Sequence, residues 1–180
     1  MLSQAHRTLE WLLEWVTITL MLALTIVVLV GVTYRLAGNS LSWYDEIASV
    51  QLAWITYYGA ALAALKRRHI GFDTVLLALP TQLRMPGLVI AEVLVIGFFV
   101  LMTWTGLEVL QVLEGMRLVA LSWVPIQVTQ SVIPIGGALF ILCELVSLPE
   151  YWRMTAAGRS LEHAEIEEEI AQELKHAGQR

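Results

Sequence analysis

The 180-residue chain is 57% hydrophobic and 15% charged, whereas roughly a quarter of the residues in soluble domains are charged, so an ordinary soluble protein is excluded and an integral membrane protein is predicted. Much of the net charge of −5 lies in the tail from Ser160 to Arg180, which holds six of the sixteen acids and two of the eleven lysines and arginines. The remainder carries ten acids against nine bases, which excludes a basic surface for nucleic acid.

The N-terminal region combines an amphipathic stretch with an uncharged run. In residues 1–15, charged side chains lie among Leu and Trp at spacings typical of a short helix in the membrane interface. Residues 16–34 contain no charge and end at Tyr34 and Arg35, which predicts a first span with an interfacial anchor. We expect this span to be retained, because it is longer than the apolar core of a secretion signal and no Ala-x-Ala pattern follows.

The second predicted span, residues 47–65, carries opposite charges at its two ends. Asp45 and Glu46 precede nineteen uncharged residues, and a basic cluster from Lys66 to Arg68 follows them. As a helix these residues would rise about 28 Å, close to the hydrocarbon thickness of a bilayer. The two acids either cap this helix or form an ion pair with Arg35 or with a partner subunit.

Small residues mark the second half of this span. Gly59 and Ala63 form one small-xxx-small pair, and Ala60 and Ala64 form another. In lipid such pairs let two helix backbones approach closely, so they predict a packing face. The alternative is that glycine and alanine are simply frequent in membrane helices.

The loop after the second span is predicted to form a structural latch. Arg67, Arg68, His69 and Asp73 lie close together in the sequence, and Asp73 could fold back onto an arginine or onto His69. The alternative is a cytoplasmic anchor whose long side chains extend to anionic headgroups, which we prefer for Lys66. A brief interfacial helix is expected between this loop and the third span.

The third span is predicted over residues 86–107 and contains Glu92. We expect Glu92 to be the only charge well inside an apolar run. An intramembrane acid is by default a functional candidate because its burial is costly. The alternative is that Glu92 reaches water or a neighbouring arginine.

The fourth span is predicted over residues 125–147 and carries a polar stripe. Gln127, Gln130, Ser131 and Pro134 share one helical face, at i, i+3, i+4 and i+7. Such a stripe suits hydrogen bonding between helices, so it predicts a bundle or subunit contact more than a solute path. Pro134 should also kink the helix.

The basic residues of the loops predict the orientation. If both termini are in the cytoplasm, the cytoplasmic loops and flanking segments carry seven lysines and arginines. The segments on the opposite side carry two, Arg35 and Arg117. The expected fold is therefore an all-α membrane protein with four transmembrane helices, short interfacial amphipathic helices and both termini in the cytoplasm. Residues 149–180 form an acidic helical tail, either solvated or used for docking.

No residue pattern for catalysis or cofactor binding is found in the sequence. The single cysteine, Cys143, is expected to be a small buried hydrophobe. Ser–His and paired-carboxylate arrangements, Gly-rich phosphate loops and metal-ligand spacings are not evident. The histidines all lie at or beyond the predicted membrane edges: His6, His69, His163 and His176. We therefore expect no enzymatic activity, no cofactor and no metal.

One block of the sequence carries a family resemblance. Its features are an aromatic residue and two acids entering the second span, a Trp and a Gly within it, and a charged motif before a Leu-Pro pair: Trp43, Asp45, Glu46, Trp54, Gly59, Arg68, His69, Ile70, Asp73, Leu79 and Pro80. This block resembles the small membrane subunit of the tripartite ATP-independent periplasmic (TRAP) transporters, their DctQ-type component. The sequence departs from the family pattern at Asp45, where we expect a second glutamate, but the charge is kept.

The resemblance implies a scaffold subunit in a bacterial inner membrane. Its partners would be membrane lipids, a large multi-span subunit that holds the substrate and sodium sites, and an extracytoplasmic solute-binding protein that delivers an organic acid. Glu46, Trp54, Gly59, Arg67, His69 and Asp73 would matter most. Two alternatives stay open: a homodimeric four-span proton-coupled exporter using Glu14 or Glu92, and the small subunit of a tripartite tricarboxylate transporter.

Overall fold

The computed structural model describes residues 2–67 and 80–156, and nearly all of this part is helical. An isolated β-bridge joins Arg117 and Pro125 in the loop before the fourth span. Within the described ranges, four helical segments are long and apolar enough to cross a membrane, as predicted. The helices are α1 (Leu2–Leu36), α2 (Tyr44–Leu65), α3 (Thr81–Val112), α4 (Ile126–Gln130) and α5 (Val132–Ala156).

Helix α1 is longer than expected. Its 35 residues run without a break through the predicted boundary between residues 15 and 16. At 1.5 Å per residue it measures about 52 Å, against about 30 Å for the hydrocarbon core of a bilayer. Part of α1 therefore extends beyond the core or the helix is tilted, and an interfacial position for its first turns stays a prediction.

The third and fourth spans also differ from their predicted ends. Helix α3 begins at Thr81, so Pro86 lies inside it. The fourth span continues through Pro149 to Ala156, beyond the predicted end at residue 147. It is interrupted between α4 and α5, one turn before Pro134. Proline lacks an N–H and its ring crowds the carbonyl four residues earlier, which accounts for this interruption, whereas the kink expected at Pro134 stays a prediction.

The four spans form an open row in the order α1, α2, α5, α3. Helix α5 packs against α2 and α3, and α1 packs mainly against α2, whereas α2 and α3 barely touch. The fourth span is accordingly the central one: 44% of its most apolar stretch is buried, against 6% for the first span and 11% for the second and third. An open row leaves a groove between α2 and α3, with α5 as its floor.

Close crossing of α5 with its two neighbours depends on adjacent glycines. A Cβ atom at Gly136 would lie 2.6 Å from the Cβ of Tyr57 in α2, and one at Gly137 would lie 2.5 Å from Thr103 Oγ1 in α3. Small residues thus let the backbones approach, as is usual in membrane helices. Cys143 is fully buried in the core that these helices form, as predicted.

Candidate functional site

A buried ionic cluster joins α2, α3 and α5. Arg67 lies just after the end of α2, and its Nη1 atom is 2.5 Å from Glu92 Oε1 of α3 and 2.6 Å from Glu144 Oε1 of α5. The side chains of Arg67, Glu92 and Glu144 are 7%, 10% and 4% exposed, respectively. Three helices are therefore linked by a single guanidinium group.

The backbone turn that ends α2 directs Arg67 into this cluster. Arg67 has φ of 51°, in the left-handed region that costs a non-glycine residue about 1–2 kcal/mol. Its side chain compensates with many contacts: Nε donates to Ser147 Oγ (2.8 Å), Nη2 donates to the Glu144 carbonyl (3.0 Å), and the guanidinium lies 4.5 Å from the ring centroid of Tyr151. Loss of the side chain would leave the strained turn without its compensation.

Two acids of this cluster share one cation. Both carboxyl groups contact the guanidinium of Arg67 through Oε1. The second oxygen of each, Glu92 Oε2 and Glu144 Oε2, is buried and accepts no hydrogen bond within the described part of the chain. Because a buried acid is costly without a partner, both Glu92 and Glu144 depend on Arg67.

The cluster corrects one prediction. Glu92 was expected to be the only charge well inside an apolar run, which is wrong, because Glu144 lies within the fourth span and is more completely buried. Arg67 binds Glu92 and Glu144, whereas the latch predicted with Asp73 stays a prediction, because Arg68, His69 and Asp73 lie outside the described residues. The spacing of Glu144, Ser147 and Tyr151 on one face of the fourth span, i, i+3 and i+7, was the missed signal.

Lys66, the neighbour of Arg67, links α2 to α1. Its Nζ atom is 2.5 Å from Glu14 Oε1 and 3.1 Å from Glu10 Oε1. The hydrogen bond to Glu14 is the largest of the effects that raise the pKa of Lys66 above its usual range, and Glu10 adds to it. The prediction that Lys66 extends to lipid headgroups is therefore wrong: its side chain is held between two helices.

The ionic cluster lies at one end of the groove between α2 and α3. This groove has a volume of about 520 Å³. Phe99 and Phe140, whose ring centroids are 3.6 Å apart, stack in the part of it farther from the charges. The groove is therefore an apolar channel that ends on a charged wall. Its lining comprises Ala60, Arg67, Ala91, Glu92, Leu94, Val95, Phe99, Phe140, Glu144 and Tyr151.

At the opposite end of α2, Glu46 holds the loop that connects α3 to α4. Its Oε1 and Oε2 atoms accept hydrogen bonds from the backbone N–H groups of Val119 (2.8 Å) and Ala120 (2.9 Å). No side chain caps the start of α2. Glu46 therefore neither caps its own helix nor pairs with Arg35, the two intrachain roles considered, and Asp45 beside it is exposed.

Two other predicted residues, Trp54 and Gln127, connect α4 to its neighbouring helices. Trp54 Nε1 donates to the carbonyl of Thr129 in α4 at 3.0 Å. Gln127 Nε2 donates at 3.0 Å to the carbonyl of Leu110 near the end of α3. Both indole and amide thus satisfy backbone carbonyls that lie close to helix ends.

The predicted polar stripe of the fourth span is divided. Gln127 binds α3 and Pro134 is buried, whereas Gln130 is exposed. Ser131, whose Oγ donates to the carbonyl of Val128, lies at the interruption between α4 and α5. The stripe therefore contributes to contacts within the chain at Gln127 and Pro134.

The two small-residue pairs of α2 have different surroundings. Ala64 is fully buried in the core. A Cβ atom at Gly59 would meet nothing within 4 Å in the described chain, and Ala63 is half-buried. Within the described residues, no other helix therefore packs closely against Gly59, and the packing role predicted for the Gly59–Ala63 pair stays a prediction.

Among the described residues, no group of three or more His, Cys, Asp or Glu side chains is arranged to hold a metal ion.

A protein-family model described as "Tripartite ATP-independent periplasmic transporters, DctQ component" matches residues 24–154, well over half of the chain. The matched range includes the ionic cluster, the groove and the Glu46 contact. No curated protein matches the sequence.

Proposed function

The chain belongs to the DctQ component family of the tripartite ATP-independent periplasmic transporters, and we propose that this small membrane subunit is the fixed scaffold of its transporter. The large multi-span subunit moves the substrate, and a solute-binding protein delivers it from outside. Uptake of an organic acid is driven by the sodium gradient. The small subunit lies in the bacterial inner membrane with both termini in the cytoplasm.

The observation that carries the scaffold role is the use of the buried charges. Glu92 and Glu144, the buried acids of the described residues, both contact Arg67. A carrier needs ionisable groups that exchange partners along a solute path, whereas a scaffold needs helices held at fixed spacing. The guanidinium of Arg67 links the end of α2 to α3 and α5, which supports the requirement of a scaffold for fixed helix spacing.

The same contacts argue against a self-sufficient exporter. Such an exporter would use Glu14 or Glu92 as its exchange site, but Glu14 is paired with Lys66 and Glu92 with Arg67. Both acids are thus held by cations of the same chain. The match to a transporter component family likewise favours a subunit over an independent carrier.

Reconstitution tests the scaffold role. The chain, its large membrane subunit and both together would be placed in separate vesicles and given the solute-binding protein, candidate organic acids and an inward sodium gradient. We expect uptake only in vesicles with both membrane subunits, and its loss when the gradient is collapsed. Solute uptake by vesicles containing this chain alone would contradict the scaffold role.

Gly59→Leu provides a test inside the complex. Because nothing in the described chain lies within 4 Å of a Cβ atom at Gly59, leucine should leave the fold of the subunit intact. It should weaken co-purification with the large subunit at least tenfold if close helix packing occurs there. Gly97→Leu is the matched control, since Gly97 has equally open surroundings on α3. Wild-type yield with Gly59→Leu would remove Gly59 from the interface.

A further inference from the structure

We propose that Glu92 and Glu144 hold one proton between them, so that their cluster with Arg67 is electrically neutral: one guanidinium, one carboxylate and one uncharged carboxyl group. The ligand of this site is a proton, which the chain takes up from water as it folds. The bound proton is a property of the folded chain by itself and does not depend on the scaffold role.

The two acids lie close enough for their charges to interact strongly. Each has its Oε1 atom within 2.6 Å of the same nitrogen, Arg67 Nη1. These two oxygens are therefore at most about 5 Å apart, a separation at which like charges repel strongly in a buried site. The carboxyl groups of Glu92 and Glu144 also lie within hydrogen-bonding reach of each other. Two buried acids in this position disfavour each other's ionised form, so the pair keeps one proton.

Burial removes the water that would otherwise stabilise a second negative charge. The side chains of Glu92 and Glu144 are 10% and 4% exposed. Their Oε2 atoms have almost no accessible surface and accept no hydrogen bond in the described chain. An ionised carboxyl group can only accept hydrogen bonds, whereas a protonated one also donates. A proton on one acid would therefore supply a hydrogen bond between the two.

The other ionisable groups around the pair leave Arg67 as its cation in the described chain. Lys66, the neighbour of Arg67, is bound to two acids of α1. Arg84 lies eight residues before Glu92 on α3, or about 12 Å along the helix. Two further titratable side chains of α5 lie beside the cluster and carry no charge at neutral pH: Cys143 and Tyr151. One cation therefore balances one carboxylate, and the proton neutralises the other acid.

The pH dependence of unfolding counts the bound proton. Above about pH 5.5 both acids are ionised in the unfolded chain, so the wild type should release one proton from this pair when it unfolds. Its unfolding equilibrium constant should then rise by an extra tenfold per pH unit. Glu144→Gln leaves Glu92 paired with Arg67 and no proton to release, so this extra rise should be absent. Denaturation of the purified subunit in detergent, between about pH 5.5 and pH 7.5, measures the difference.

Two further variants show whether the proton belongs to the pair. Glu92→Gln should lose the extra tenfold rise just as Glu144→Gln does, because a shared proton needs both acids. Glu150→Gln is the matched control, since Glu150 is an exposed acid of the same helix, α5, and it should keep the wild-type pH dependence. Retention of that dependence by a folded Glu92→Gln or Glu144→Gln variant would overturn the proposal.

Infrared spectroscopy of the wild-type chain gives an answer even if the glutamine variants do not fold. A protonated carboxyl group has a C=O stretching band that is separate from the bands of a carboxylate. At about pH 7.5, roughly three units above the usual pKa of glutamate, we expect one such band per chain. The band should shift when glutamate is labelled with ¹³C. A wild-type spectrum without this band would show that both acids are ionised and would refute the shared proton.

Discussion

The two ends of helix α2 are held to the rest of the bundle by different kinds of interaction. At the end of α2 near Arg67, buried charges of α3 and α5 converge on one guanidinium. At the start of α2, Glu46 instead binds backbone amides of the loop before α4. Trp54, midway along α2, binds the backbone of α4 itself. The Arg67 end holds three helices at a fixed spacing, whereas the Glu46 end holds the loop between α3 and α4 in place.

The difference has an energetic consequence. Removing one member of a buried ionic group leaves another charge unpaired in a medium of low dielectric, and this typically costs 3–5 kcal/mol. Removing a charged side chain that binds exposed or half-buried backbone amides costs about 1.5–3 kcal/mol, because water can replace part of the interaction. The Arg67 end should therefore be the more sensitive to substitution.

Arg67→Met should produce the largest loss of stability. It leaves Glu92 and Glu144 buried beside each other without a cation, so we expect the free energy of unfolding to fall by about 3–5 kcal/mol. Denaturation of the purified subunit in detergent measures this change. The matched control replaces Arg67, Glu92 and Glu144 together with methionine, which should recover most of the loss, since apolar replacement of a whole buried ionic group is often neutral. Unchanged stability in Arg67→Met alone would show that the cluster does not hold the helices.

Glu46→Ala should have a smaller and more local effect. Loss of the hydrogen bonds to Val119 and Ala120 should cost about 1.5–3 kcal/mol and release the loop before α4. Hydrogen exchange at those two amides should rise well before exchange in α5 changes. The control is Asp45→Ala, which removes an exposed acid in the same helical turn and should cost less than about 1 kcal/mol. Equal effects of the two substitutions would argue that Glu46 acts through the charge at the helix start.

Lys66 should show the smallest effect, and one that depends on pH. Because pairing with Glu14 and Glu10 raises the pKa of Lys66 above 10.5, its contribution is complete below the unfolded pKa and is lost as the pH rises through the folded value. Partly exposed pairs of this kind contribute about 0.2–1 kcal/mol. Thermal stability measured between about pH 9 and pH 12 should fall less in Lys66→Met than in the wild type. An identical alkaline decline in both proteins would show that Lys66 is not responsible.

Several features could be read from local patterns, and others could not. The four spans follow from long uncharged runs, and the family follows from a short block around the second span. The roles of Glu46 and Lys66 were missed because their partners are in distant segments: Glu46 binds residues 73 and 74 positions away. Trp54 and Gln127 were identified as candidates, but the carbonyls they bind exist as free acceptors only because helix ends and an interruption lie nearby.

Four helices long and apolar enough to cross a membrane, and membership of a transporter family, follow from the sequence alone. Those properties depend on runs and motifs of neighbouring residues, whose physical effect is local. The contacts of Arg67 with Glu92, 25 residues away, and with the backbone of Glu144, 77 residues away, are visible only in the folded chain. They depend on α5 lying between α2 and α3. Close packing at Gly136 and Gly137 accompanies this helix order, and apolar periodicity does not encode it.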